Sequence, residues 1–276
     1  MPAQPGALDG GMLAARTLDG FIRYSTDDAK VLAEIERRTR RRGRIGAVLP
    51  GGGLEVTPAI LTQPEFNICA LTFDDGPHRT VTRRILEILN EQKVVSTYFP
   101  VGNVAIRYPD VIRDFVASGH EIGNHSYTHG DMRQMKIETL RHEVAETNRI
   151  LRELGGSSTL FRPPYGRYSQ DLLQVVREEG GQAVLWNVDT RDWKVRDPDK
   201  IVEHVTTAAG SGSVLLLHST YPTTAEALPR VIATLREKNC EFVTLSDWIA
   251  RMQAAGELPV TNAALPGPAP TTRLRN

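Results

Sequence analysis

Beyond Asn67 the chain alternates short apolar runs with stretches whose apolar residues recur at helical spacing. Ile68-Cys69-Ala70-Leu71 reads as a buried strand that must stop at the Gly76-Pro77 turn. Val81, Ile85, Ile88 and Leu89 share one face of the helix that follows, and Val94 to Val101 reads as the next strand. A helix from Pro109 to Ala117 stops at Ser118-Gly119, and a strand then carries Glu121-Ile122-Gly123 toward His125. Leu140, Val144, Thr147, Leu151 and Leu154 line a long helix closed by Gly155-Gly156. The rhythm continues with strands at 159–162, 183–188, 214–217 and 242–245, separated by helices at 171–179 and 201–209 and one carrying Leu228, Val231, Ile232 and Leu235. Repeated βα units of this length predict a parallel sheet covered by helices. About seven strands in one such unit fit a closed or nearly closed barrel better than two open sheets.

Outside this region the pattern changes. Residues 1–60 form an N-terminal extension: a Pro/Gly-rich start, a helix from about Ser25, then a basic segment with Arg37, Arg38, Arg40, Arg41, Arg42 and Arg44. That segment is suited to an anionic polymer or lipid headgroups, but a solvated basic stretch is the simpler reading. Alternating apolar residues between Arg44 and Leu61, around Gly51-Gly52-Gly53, predict a hairpin packed on the main domain. Residues 61–252 make the main domain, and the Pro/Ala-rich residues 253–276 read as a disordered tail.

Composition narrows the function classes. The formal net charge is +0, so no whole-protein field draws in nucleic acid or an anionic membrane. No apolar stretch is long enough for a transmembrane segment or a signal-peptide core, which leaves a cytoplasmic protein or one numbered after a removed leader. Cys69 and Cys240 match neither a zinc ribbon nor a redox motif; two buried thiols are the default expectation, with a disulfide open if the first and last strands are neighbours.

The informative feature is where the polar residues fall. Asp74, Asp75, His125, His129, Arg162, Asp189, Asp192 and His218 all lie at or just after the C-terminal ends of predicted strands. In a βα barrel those ends converge on one mouth. Adjacent aspartates that are buried without a counter-charge are costly, so Asp74-Asp75 suggests a cation, although a surface Asp-Asp-Gly turn has the same residues. His125 and His129, four residues apart, suit one ion if the segment makes a helical turn, and with Asp75 they supply the three protein ligands of an open catalytic zinc site. That leaves Asp74 free as a base. Arg162, stiffened by Pro163-Pro164, is the natural partner for Asp74, and an aspartate beside His218 would hold that histidine protonated as a general acid requires. His120, His142 and His204 read as core or surface residues, and His78 as lining the mouth.

Thr72-Phe73-Asp74-Asp75-Gly76-Pro77, His125-Ser126-Tyr127-Thr128-His129, Arg162-Pro163-Pro164-Tyr165, Asp189-Thr190-Arg191-Asp192-Trp193 and Leu216-Leu217-His218, in this order, resemble the motifs of the NodB-homology polysaccharide deacetylases, carbohydrate esterase family four. The resemblance covers roughly 66–249, with no functional residue of the motifs lost. It implies a distorted (β/α)7 TIM-like barrel and a divalent metal, zinc first, with cobalt, nickel or manganese as alternatives. It assigns Asp74 as catalytic base, Asp75, His125 and His129 as metal ligands, Arg162 as the tether of the base, Asp192 as the tuner of His218, and His218 as the acid. Trp193 and Leu216 would line the acetyl pocket, and the Tyr165 backbone N–H would help hold the oxyanion. The implied reaction is hydrolysis of N-acetyl groups on N-acetylglucosamine residues of a glycan such as peptidoglycan or a chitin-like oligosaccharide. An O-acetyl esterase acting on xylan and a non-catalytic glycan-binding member remain the alternatives.

Overall fold

The computed structural model describes residues 67–156 and 159–254, together with the backbone of two short strands, β1 (Gly46–Val48) and β2 (Leu54–Val56). These two pair antiparallel, Gly46 opposite Val56, as the hairpin expected there. The expected basic helix, its arginines and the tail from residue 255 lie outside the described residues; Gln253 and Ala254 are still helical.

Seven parallel strands follow: β3 (Ile68–Asp74), β4 (Thr97–Phe99), β5 (Glu121–Ile122), β6 (Leu160–Phe161), β7 (Gln182–Ala183), β8 (Val188–Asp189) and β9 (Val214–His218), with β10 (Glu241–Phe242) as an eighth. Between them run α1 (Val81–Glu91), α2 (Gly102–Ala105), α3 (Pro109–Ala117), α4 (Ile137–Glu153), α5 (Gln170–Glu178), α6 (Asp192–Val195), α7 (Pro198–Ala208) and α8 (Pro222–Glu237), and α9 (Leu245–Ala254) closes the chain. The main sheet runs β5-β4-β3-β9-β8. β10 pairs with the start of β3, on the edge whose other end pairs with β4. β6 and β7 form a separate pair, joined to β5 through a bridge between Asn124 and Phe161. The result is a distorted βα barrel whose seam lies between β7 and β8. The run expected as one strand at 183–188 is in fact two strands. Val184 donates its N–H to Phe161 and Asn187 donates to Val214, so the chain crosses the seam within that run. An apolar pattern cannot reveal that its two ends pair with different neighbours.

β3 is buried along its whole length. Its alternate residues face two compartments, as a strand requires. Cys69, Leu71 and Phe73 pack with Ile85, Leu89, Leu228 and Ile232 of the surrounding helices. Ile68 and Ala70 pack inside the barrel with Phe99, Trp186, Leu216 and Trp248. Asp74 therefore arrives as the last inward-facing side chain of the central strand, and Asp75 begins the turn. Cys69 and Cys240 do not remain thiols: the pairing of β10 with β3 brings their Cα atoms to 5.5 Å and they form a disulfide. Among the described residues no helix is long and apolar enough to cross a membrane.

His120, at the end of the α3–β5 connection, is buried against Phe115 with its Nδ1 accepting the Ser96 N–H at 3.1 Å. Burial pushes its pKa down to about 4. Below about 6.5 the unfolded chain binds a proton that the folded chain refuses, so stability falls as pH drops from that value toward 4. Urea unfolding across this window is expected to show a loss approaching 1.4 kcal/mol per pH unit, as an order of magnitude, from this residue. In His120→Asn that part of the slope should disappear; an unchanged slope would contradict the assignment.

Candidate active site

The strand ends carry the polar residues to one place. Asp74 is 3% exposed, and its Oδ1 accepts a hydrogen bond of 2.9 Å from Arg162 Nη1. Arg162, at the end of β6, is fully buried; Nη1 also donates to Thr72 Oγ1 at 2.7 Å and Nη2 to the Leu185 carbonyl at 3.2 Å. Its guanidinium lies 4.3 Å from the Phe99 ring centroid. Burial lowers the Arg162 pKa, and the Asp74 charge opposes that.

Asp75, His125 and His129 place one ligand atom each within 4.8 Å of one another. The Asp75 backbone is left-handed at φ 73°, and its carbonyl accepts hydrogen bonds from Tyr98 Oη and Ser219 Oγ. The expected helical turn between the histidines is absent. Ser126 and His129 instead take left-handed backbone angles, φ 66° and 60°, which fold the loop so that both rings reach Asp75. Such angles cost roughly 1–3 kcal/mol each in residues other than glycine and persist only where surrounding bonds over-determine them.

The donor set fits a divalent ion. His125 Nδ1 lies 2.8 Å from the Arg162 carbonyl, which can only accept, so the proton sits on Nδ1 and the Nε2 lone pair is turned inward. That Nε2 lies 3.6 Å from both Asp74 Oδ2 and Asp75 Oδ1. His129 Nε2 is 3.2 Å from the same Asp75 oxygen, and burial together with neighbouring His125 lowers the His129 pKa, favouring the neutral ring that a metal needs. Two imidazoles with a carboxylate converging at this range suit zinc and its neighbours in the series.

His218 ends β9, beside Asp74 in register. The fully buried Asp192 accepts from His218 Nδ1 at 2.7 Å and from the His218 backbone N–H at 2.7 Å. Trp193 N–H and Thr224 Oγ1 complete its shell at 2.8 and 2.7 Å. Burial by itself disfavours the imidazolium, but the charge and hydrogen bond of Asp192, with help from Asp75 and Asp74, outweigh it and raise His218 to about 9. Tyr165 and Trp193 are exposed at 59% and 46%, while Leu216 is buried. Tyr165 stands at φ 60°, its ring 4.7 Å from that of His129, and its backbone N–H has no protein acceptor among the described residues. Asp189 accepts the Arg191 N–H and supports the loop before Asp192. His78 caps α1, its Nδ1 accepting the Val81 N–H.

Sequence reasoning missed Glu143, Tyr98 and Thr224. Glu143 had a signal: it falls on the apolar stripe of α4, between Leu140, Val144 and Thr147, where a charged residue is out of place. Tyr98 and Thr224 had none, because each looks like an ordinary member of its strand or helix.

A family model described as polysaccharide deacetylase matches residues 62–184. A peptidoglycan-N-acetylglucosamine deacetylase of Bacillus cereus is 37% identical over 181 residues, which are 64% of this chain and 66% of that one. A chitooligosaccharide deacetylase of Azorhizobium caulinodans is 35% identical over 166 residues, 59% of this chain and 79% of that one. The solved peptidoglycan deacetylase PdaC of Bacillus subtilis superposes with a TM-score of 0.64 at 33% identity, over 71% of this chain and 96% of that one. This chain belongs to the polysaccharide deacetylase family. Among the first curated deacetylases it matches, it spans between 38% and 66% of their own length. A solved family 4 pseudoenzyme from Bacillus anthracis superposes equally well, TM-score 0.64 at 28% identity over 68% of this chain and 66% of that one. Within the polysaccharide deacetylase family, then, the fold alone does not carry activity.

Arg162→Met should leave the Asp74 carboxylate buried without its cation, at a cost of about 3–5 kcal/mol. Denaturant unfolding of the two proteins checks this; wild-type stability in the variant would mean that Arg162 does not hold the Asp74 charge.

Proposed function

We propose that this polysaccharide deacetylase hydrolyses N-acetyl groups from N-acetylglucosamine residues of a glycan, peptidoglycan or a chitin-like oligosaccharide, in a metal-dependent reaction. The observation that carries this reading is the meeting of Asp75, His125 and His129 beside an arginine-held Asp74, with the Asp192-His218 pair on the adjoining strand end. The relatives named for peptidoglycan and chitooligosaccharides support the substrate class.

Asp75, His125 and His129 would hold the ion. When bound, a divalent ion supplies Lewis-acid polarisation and makes water a stronger acid. Asp74 is the base in this reading: Arg162 binds its Oδ1, leaving Oδ2 to take a proton from water as it attacks the acetyl carbonyl. The Tyr165 N–H, which has no protein acceptor among the described residues, would donate to the oxygen that gains charge. Trp193 and Leu216 flank the acetyl group. His218 delivers its proton to the leaving nitrogen, which departs as a neutral amine while acetate is released. A pKa of about 9 keeps that proton available at neutral pH. An amine leaves poorly as an anion, so an acid held this firmly favours the N-deacetylase over the O-acetyl esterase.

Asp74→Asn is expected to lower turnover about 10²–10⁴-fold while still binding zinc, whereas His129→Ala should lose both. Acetate release and zinc titration on the same preparations separate the two outcomes. Near-normal turnover in Asp74→Asn would remove Asp74 as the base. Because His218 must be protonated, activity should fail as pH rises through its pKa, and Asp192→Asn should move that failure to lower pH.

A further inference from the structure

We propose that Glu143 is a positioning residue that sets the spacing of His125 and His129 without touching either ring. The inference rests on the reading that these histidines and Asp75 hold a divalent metal. Glu143 lies on α4 and is 3% exposed. Its Oε2 accepts the backbone N–H groups of Tyr127 and Thr128, each at 2.9 Å, and its Oε1 accepts Thr128 Oγ1 at 2.7 Å. Among the described residues no cation is paired with this carboxylate. A buried carboxylate is kept only where donors replace its water, and here all three donors belong to the two residues between Ser126 and His129.

Those two residues are where the loop needs an outside hold. They follow one left-handed residue and precede the other, Ser126 and His129. Bonds inside the loop are local: Asn124 Oδ1 accepts the Ser126 N–H at 2.8 Å and Ser126 Oγ accepts the His129 N–H at 2.9 Å. On the other side the Ser126 and Tyr127 carbonyls accept from the N–H groups of Gly102 and Asn103 at the start of α2. Glu143 thus takes the loop's N–H groups while α2 takes its carbonyls. The segment is clamped between two helices in a conformation it would not hold alone. Releasing one side frees the Ser126 and His129 backbones to relax toward ordinary angles. Relaxation swings the His129 Nε2 away from Asp75.

The test is zinc affinity by chelator competition on the full chain, together with the visible spectrum of the cobalt-substituted protein, which reports ligand geometry independently of turnover. Glu143→Ala should bind zinc about 10–100-fold more weakly and alter the cobalt spectrum. Glu143→Gln keeps an oxygen for the two N–H groups and an amide donor for the Thr128 hydroxyl, so it should stay within about threefold of wild type on the same reasoning. Thr128→Val removes one bond of the three and should show a smaller loss than Glu143→Ala. Wild-type affinity in Glu143→Ala, or an equal loss in Glu143→Gln, would overturn the proposal. If Glu143→Ala does not fold, wild-type affinity and spectrum in Thr128→Val would overturn it. Failure of the wild-type protein itself to bind zinc or cobalt would overturn this role together with the metal-site reading, whereas a zinc-binding wild type with unmoved variants would overturn the positioning role alone.

Discussion

A guanidinium fully removed from water is the constraint on which the rest of the site depends. Arg162 spans the barrel interior from β6 to Thr72 and Asp74 on β3 and to the Leu185 carbonyl beyond β7. Its own carbonyl fixes the His125 ring. One residue therefore holds the Asp74 carboxylate in place and sets which nitrogen of His125 is turned toward Asp75. A buried cation is tolerated because donors meet acceptors and aromatic faces cover the remainder. The orientation of these groups is set before any ligand arrives, which is the form of preorganisation the proposed reaction would use.

His129 and His218 are separated by environment. His129 has its pKa lowered by burial and by His125, whereas His218 has its pKa raised because Asp192 outweighs burial. Divergent environments for like groups are what the proposed division into ligand and acid requires. Asp192 can do this because its four accepted hydrogen bonds leave it no other task.

Much of this was legible along the chain. The alternation of apolar runs predicted parallel βα units, and Asp74, Asp75, Arg162 and His218 stood at strand ends where a barrel gathers its site. What was not legible depended on partners distant in sequence. Cys69 and Cys240 are 171 residues apart, and only the pairing of β10 with β3 joins them. The 183–188 run hides a crossing between sheets because hydrophobic periodicity records burial, not neighbours. The four-residue spacing of the histidines suits one ion if the segment makes a helical turn, yet two left-handed residues achieve the same approach. Glu143 was overlooked although its place on an apolar stripe marked it, because a lone charge in a helix is normally solvated.

The most direct measurement is acetate release from N-acetylglucosamine oligomers and from peptidoglycan, after the metal has been stripped and again after zinc is restored. Acetate that disappears with the metal and returns with zinc on at least one of these substrates is the predicted result. Acetate release that persists in protein verified to be metal-free, or none from either substrate with zinc bound, would contradict the account.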